Sequence, residues 1–328
     1  MESRVVVIST GGTIAMRHDD LLGGEIPAVG GKELIAAVPA LSKRFAIEVE
    51  EFDNIPSFYM TPETMLRLAR KAESVLNRKD VAGVVITHGT DTLEETAFFL
   101  DCYLQLQKPV CLTGAMRSGS DLSGDGPYNL ESAVRVACSP QAAGHGVLVV
   151  MNGEVHTARH VTKMHSSSTA SFMSPWRGPM GYVDADAVHM GCAVSPRLRL
   201  RPSRLTSDVP ILKIYSGMDN RLPVALLAMQ PDGLVIEGYG RGNIPASVIP
   251  PLVPFFENDI PVVIASRVPM GRTLGVYALE GGAAHLQKLG AILSGTLSSH
   301  KARLLLMLAL GAGRELASIA DLFAAVSV

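Results

Sequence analysis

Residues 81–95 read VAGVVITHGTDTLEE, and they hold the pattern that decides the fold. Val81–Ile86 is a short apolar run rich in Val, the composition of a strand buried on both faces. A turn follows at His88-Gly89-Thr90-Asp91, and then Thr92–Leu106 takes up helical spacing of its apolar positions. Thr92 with Glu95 fits the Ser/Thr-x-x-Glu capping box that opens a helix. Strand, polar turn and helix in immediate succession form half of a βαβ unit.

Working outward, Val5–Ile8, Pro109–Thr113 and Gly146–Met151 have the same strand character, while Thr61–Leu76 and Tyr128–Ala137 are spaced as helices. This alternation predicts right-handed crossovers and a parallel sheet covered on both faces, an α/β fold. The pattern breaks after Tyr182, and residues 191–208, rich in Arg, Ser and Pro, read as a linker. Beyond it Ile211–Tyr215, Gly233–Glu237 and Pro261–Ala265 are strand-like, and Leu222–Met229, Ser247–Phe256 and Ser299–Leu310 are helix-like. We therefore expect an N-terminal catalytic α/β domain over 1–190 and a smaller α/β domain over 209–328.

The 328 residues are long enough for two such cores. With 29 basic and 31 acidic residues the net charge is -2, and no basic stripe stands out, so nucleic acid is not the expected partner. No apolar run reaches the roughly 18 residues of a membrane span. Met1-Glu2-Ser3-Arg4 leads straight into Val5–Ile8 without a signal-peptide layout, which points to the cytoplasm. Cys102, Cys111, Cys138 and Cys192 show no CxxC spacing, and His156, His160 and His165 have no carboxylate or cysteine at ligand spacing. No metal site is read.

Ligands of a parallel sheet gather at the carboxyl ends of its strands. The first such turn, Ser9-Thr10-Gly11-Gly12-Thr13, pairs two glycines with flanking hydroxyls; an ordinary glycine turn explains it equally well. In the second, helix initiation accounts for Thr92, Glu94 and Glu95 but not for Thr90 and Asp91; an unpaired Asp91 carboxylate could bind an ammonium group. The third, Arg159–His165, contains Lys163, which is either a solvated loop lysine or a desolvated base. A threonine hydroxyl needs an adjacent base to act as a nucleophile. Thr13, Thr90, Asp91 and Lys163 together would supply a nucleophile, a relay hydroxyl, an ammonium anchor and a base.

These segments resemble the bacterial-type L-asparaginases, the asparaginase/glutaminase amidohydrolase family. The resemblance is carried by TGGTIA at 10–15, ITHGTDTLEETAFFL at 86–100, GAMR at 114–117 and SGDGPYNL at 123–130. It continues in VLVVMN at 147–152, HVTK at 160–163, SRVP at 266–269 and SGTLSSHKARLLLMLAL at 294–310. It implies a larger flavodoxin-like N-terminal domain, a smaller C-terminal α/β domain and a homotetramer built as a dimer of dimers with sites at subunit interfaces. The implied reaction is hydrolysis of L-asparagine to L-aspartate and ammonia, with weaker glutaminase activity and no cofactor. Position by position, Thr13 matches the nucleophile, and Thr90, Asp91 and Lys163 match the rest of the catalytic set. Ser57 matches the holder of the substrate carboxylate, and the Ala115 N–H is a candidate oxyanion donor. Asn243, within Gly240-Arg241-Gly242-Asn243, matches a contact made across a subunit interface.

Three places depart from the family pattern. The lid stretch Met16–Gly31 has no tyrosine, with Gly24 or Glu25 at its place. Phe58 and Tyr59 follow Ser57 where a polar residue and an aspartate are usual. The neighbouring-subunit acid aligns only loosely with Glu280, beside Tyr277. The departures leave a second reading open, an amino-acid-binding or sensing member with little turnover. The stretch 16–31, rich in glycine, is expected to be a flexible lid.

Overall fold

The computed structural model describes the chain apart from residues 1–3, 106, 192–197, 203, 206–207 and 327–328. Two compact units result, Met1–Arg197 and Leu198–Val328. Part of the expected linker, and Cys192 with it, lies outside the described residues.

The first unit is built on an eight-stranded sheet. In chain order its strands are β1 (Arg4–Gly11), a hairpin of β2 (Met16–Asp19) and β3 (Gly24–Pro27) outside the sheet, β4 (Ile47–Ile55), β5 (Val81–Thr87), β6 (Val110–Thr113) and β7 (Val147–Met151). Next come β8 (Glu154–Thr157), the small separate pair β9 (Thr162–Lys163) and β10 (Phe172–Met173), β11 (Gly181–Val183) and β12 (Val188–Met190). The order across the sheet is β12-β11-β8-β7-β6-β5-β1-β4. The run β4-β1-β5-β6-β7 is parallel throughout. Counting only those five, the order is 2-1-3-4-5, the flavodoxin-like arrangement. Beyond β7 the sheet continues antiparallel through β8, β11 and β12, an extension the sequence reading does not anticipate.

Alternate residues of the central strands serve opposite faces. Val5, Val7, Val85, Cys111 and Leu148 share a cluster with Leu130, Ala133, Val134 and Ala137 of the helix Gly126–Cys138. The helices Pro62–Leu76 and Leu93–Tyr103 also pack against the sheet, and Val6, Ile8, Val84 and Ile86 on its second set of positions are completely buried. Each such side chain contributes about 1.5–3 kcal/mol by leaving water, so the strand ends are anchored by two dry layers.

The edge strand β4 escapes a search for apolar runs because its acids interrupt the pattern. They meet basic partners: Glu48 pairs with Arg4 and Arg78, and Glu50 with Lys71. The Arg78 hydrogen bond holds the Glu48 carboxyl down at about 2. Within the stretch 16–31 expected to be a lid, β2 and β3 pair as a hairpin, with Met16 opposite Pro27 and Asp19 opposite Gly24. At its tip Asp19 Oδ1 accepts the N–H groups of Leu21 and Leu22 at 2.9 and 2.8 Å.

The second unit carries a four-stranded parallel sheet of β13 (Ile211–Lys213), β14 (Leu234–Gly238), β15 (Val262–Ser266) and β16 (Ile292–Leu293). The helix Ser299–Gly311 packs on this sheet with Leu304, Leu305, Leu306 and Leu308 fully buried. The single helix expected over Ser247–Phe256 is broken. Pro250 and Pro251 remove donors, and the segment forms short turns at Ala246–Val248 and Pro250–Leu252 before a helix at Val253–Glu257. Among the described residues no helix is long and apolar enough to cross a membrane.

Candidate active site

In the flavodoxin-like order the direction of winding reverses between β1 and β5, and the crevice at their carboxyl ends is the predicted ligand site. There the Thr10 hydroxyl donates to the Thr87 carbonyl at 2.8 Å, stapling the two strand ends together. The turns beyond them touch. Gly12 has φ +85°, and a Cβ on it would lie 2.2 Å from the Gly89 nitrogen; a Cβ on Gly89 would lie 2.6 Å from Ser57 Oγ. Only glycine fits at either position. Thr13, directly after Gly12, opens the short helical turn Thr13–Ala15, and Thr90 directly follows Gly89. The close approach of the glycines therefore brings the Thr13 and Thr90 backbones to one place. No described residue forms a hydrogen bond with the Thr13 hydroxyl.

The second turn is locked from inside by His88, which is completely buried. Its Nδ1 lies 2.7 Å from the Gly89 carbonyl and its Nε2 3.0 Å from the Thr96 hydroxyl. A carbonyl only accepts, so Nδ1 carries the proton and Nε2 accepts from Thr96. Burial pulls this imidazole down to about 4, so it stays neutral at physiological pH.

Lys163 arrives from β9, paired with β10. Its backbone N–H donates to Glu94 Oε1 at 3.3 Å, and its ammonium donates to Thr90 Oγ1 and to Asp91 Oδ1, each at 2.8 Å. Asp91 is thus not the unpaired carboxylate expected from the sequence. Lys163, 72 positions away, takes one of its oxygens. The other has no hydrogen-bond partner among the described residues, on a side chain that is 59% exposed. Glu94 is also more than a helix-opening acid, since it is buried and fixes the Lys163 backbone.

Ser57 joins the same turn. Its Oγ accepts the Asp91 N–H at 3.2 Å, and its carbonyl accepts the Thr92 hydroxyl at 2.8 Å. That bond replaces the expected capping box, because Thr92 spends its hydroxyl on Ser57 and makes no side-chain cap. With Oγ acting as acceptor, the Ser57 proton remains free to donate. Phe58 and Tyr59 are 62% and 64% exposed and meet edge to face at 4.6 Å.

The loop after β6 completes the rim. Asp125 accepts the N–H groups of Met116 and Arg117 at 3.0 and 2.9 Å, and Asn129 Nδ2 donates to the Gly114 carbonyl at 3.0 Å. The Ala115 N–H between them has no partner among the described residues. In the second unit Asn243 closes the turn Tyr239–Asn243, and its Oδ1 accepts the Ala283 N–H at 3.2 Å. The sequence reading missed His88, Glu94 and Asp125 as organisers; a histidine, an acid and an aspartate within motif blocks were the signal available. The one group of potential metal ligands among the described residues, Asp184, Asp186 and His189, lies on the β11–β12 hairpin, with both aspartates exposed.

Comparison with known proteins agrees along nearly the whole chain. Residues 4–194 match the family described as Asparaginase, N-terminal, and residues 208–323 match the Glutaminase/Asparaginase C-terminal domain. The chain is 42% identical to a probable L-asparaginase of Deinococcus radiodurans over 321 residues, 95% of each protein. It is 36% identical to L-asparaginase 2 of Escherichia coli, covering 97% of this chain and 92% of that one. It is 35% identical to a glutaminase-asparaginase of Pseudomonas fluorescens, covering 94% and 86%. Among solved structures, a probable cytoplasmic L-asparaginase from Campylobacter jejuni superposes with a TM-score of 0.87 at 35% identity, covering 98% of this chain and 99% of that one.

Proposed function

The chain belongs to the asparaginase family, and on that premise we propose that it hydrolyses L-asparagine to L-aspartate and ammonia, with Thr13 as nucleophile and weaker action on L-glutamine. The observation that carries the reading is the Lys163 ammonium 2.8 Å from the Thr90 hydroxyl, on a turn in contact with the one that bears Thr13.

The free oxygen of Asp91 accepts the α-ammonium of asparagine, and the Ser57 hydroxyl donates to its α-carboxylate. Two charges held at fixed points orient the side-chain amide for attack, which supplies much of the rate. Thr13 Oγ attacks the amide carbon, and the oxyanion is stabilised by backbone donors, of which the Ala115 N–H is the one we assign. The C–N bond then breaks. The proton lost by Thr13 and the one gained by ammonia pass through Thr90 and Lys163. A water molecule relayed by the same pair attacks the aspartyl ester, releasing aspartate and restoring Thr13.

We further propose a homotetramer, arranged as a dimer of dimers, in which Asn243 of a partner subunit completes each site, and a cytoplasmic location. The assembly is supported by the segment 268–279, where Val268, Met270, Val276, Tyr277 and Leu279 all expose apolar surface. The location is supported by the Campylobacter relative. Light scattering and cell fractionation check these two points. The activity is tested by ammonia release from L-Asn, L-Gln and D-Asn. Turnover of L-Asn above L-Gln is expected, and no ammonia from any of them would overturn the proposal.

A further inference from the structure

Behind the Thr13–Ala15 turn lies a cavity of about 200 Å³, separate from the groups assigned to catalysis. Its floor is apolar, formed by Ile14, Val29, Leu34 and Leu130, each less than 10% exposed. Protein interiors are packed to crystal density, and a dry apolar void of about 150 Å³ is enough to bind a benzene-sized molecule. The mouth is charged. Arg17 from β2, Arg117 from the loop after β6 and Glu33 all line it and are all exposed. The Arg17 guanidinium has no partner among the described residues. Arg117 gives one donor to the Ser123 carbonyl at 3.1 Å and keeps the rest of its guanidinium for other acceptors. Two cations and one anion leave a single positive charge above an apolar well.

We propose that this cavity is a second ligand site, for a small amphipathic monocarboxylate whose apolar body fills the well and whose carboxylate bridges Arg17 and Arg117. A dicarboxylate does not match the single net charge, and a purely polar amino acid does not match the floor. Such a ligand also ties the β2–β3 hairpin to the loop beside it. At present those two segments share a bond from the His18 N–H to Ser120 Oγ at 3.2 Å.

The test is calorimetric titration of the full-length protein with phenylacetate and with its neutral counterpart 2-phenylethanol. Because it reads heat of binding and not turnover, its result is independent of the proposed activity. Phenylacetate is expected to bind one equivalent per chain at millimolar concentration, with unchanged stoichiometry in saturating L-aspartate. The double variant Arg17→Ala, Arg117→Ala should weaken binding by roughly tenfold, the sum of two partly exposed charge contacts. Ala37→Trp, an exposed change at the rim that leaves the core untouched, should abolish it by filling the mouth. No binding, displacement by L-aspartate, indifference to Ala37→Trp in a folded protein, or equal affinity for 2-phenylethanol would each overturn the proposal.

Discussion

The Lys163 ammonium donates to the Thr90 hydroxyl oxygen at 2.8 Å, and that direction fixes where the Thr90 proton goes. A protonated lysine has three donors and no acceptor, so Thr90 must point its own hydrogen away from Lys163. When Lys163 gives up a proton the bond can reverse, and Thr90 becomes a relay between the lysine and whatever stands in the crevice.

From this geometry Lys163→Met is expected to lower kcat by about 10²–10⁴, with a smaller change in KM. A stopped assay of ammonia release measures both. A variant with near wild-type kcat would remove Lys163 from proton transfer and leave it as the partner of Asp91.

Thr13→Ala should lose at least about 10³-fold in turnover, since only the attacking hydroxyl is removed. Its thermal midpoint should match that of the wild type, because no described residue bonds to that hydroxyl. Thr13→Ser should restore measurable activity, and an active Thr13→Ala would reject the nucleophile.

Asp91→Asn separates binding from chemistry. Because Asp91 is 59% exposed, loss of its charge should cost less than for a buried pair, roughly 1–2 kcal/mol, expected here chiefly as a rise in KM for L-asparagine. Succinamate, which is asparagine without its amino group, provides the control, and its weaker turnover should be insensitive to the change. Equal losses on both substrates would mean that Asp91 serves Lys163 rather than the ammonium.

Acid should weaken the fold before most carboxylates titrate. Buried His88 is held down to about 4, while an unfolded histidine has its ordinary value near 6.5. Between those limits the unfolded chain binds the extra proton. The stabilisation is therefore complete above about pH 6.5 and lost progressively down to about pH 4, on the order of 3 kcal/mol in all. Burial moves His156 the same way. Urea midpoints across this range should fall with pH, and His88→Gln should flatten part of the slope.

Gly12→Ala is expected to be among the most damaging single changes. The added carbon would overlap the Gly89 backbone at 2.2 Å in a conformation with φ +85°. A cost of about 4 kcal/mol or more follows, seen as a lower thermal midpoint together with lost activity.

Much of the scaffold could be read directly, because β1, β5, β6 and β7 are unbroken apolar runs, and buried parallel strands need nothing else. β4 was hidden because its acids look like surface until Arg4, Lys71 and Arg78 are placed against them. Thr13, Thr90, Asp91 and Lys163 stand out as candidates in their turns, and Ser57 and Ala115 only through the family resemblance, but none of their partners could be read. The pairing of Asp91 with Lys163 and of Glu94 with the Lys163 N–H spans about seventy positions. Such contacts depend on how β9 folds back, which no local pattern encodes. The capping box failed for a related reason: Ser57, 35 positions away, offered Thr92 a better use for its hydroxyl.

The central place of β1, paired on one side with β4 and on the other with β5, bears on how the chain responds to a protease. Leu21 and Leu22 stand 97% and 75% exposed at the hairpin tip, an open site for enzymes that cut after large apolar residues. Cleavage there severs Thr13 covalently from Thr90, Asp91 and Lys163. The released segment is still clamped between two parallel neighbours, with Val5, Val6, Val7 and Ile8 completely buried. The nicked protein should behave as a fragment complex, in which the piece bearing Thr13 stays bound and can be exchanged for a synthetic peptide only after unfolding.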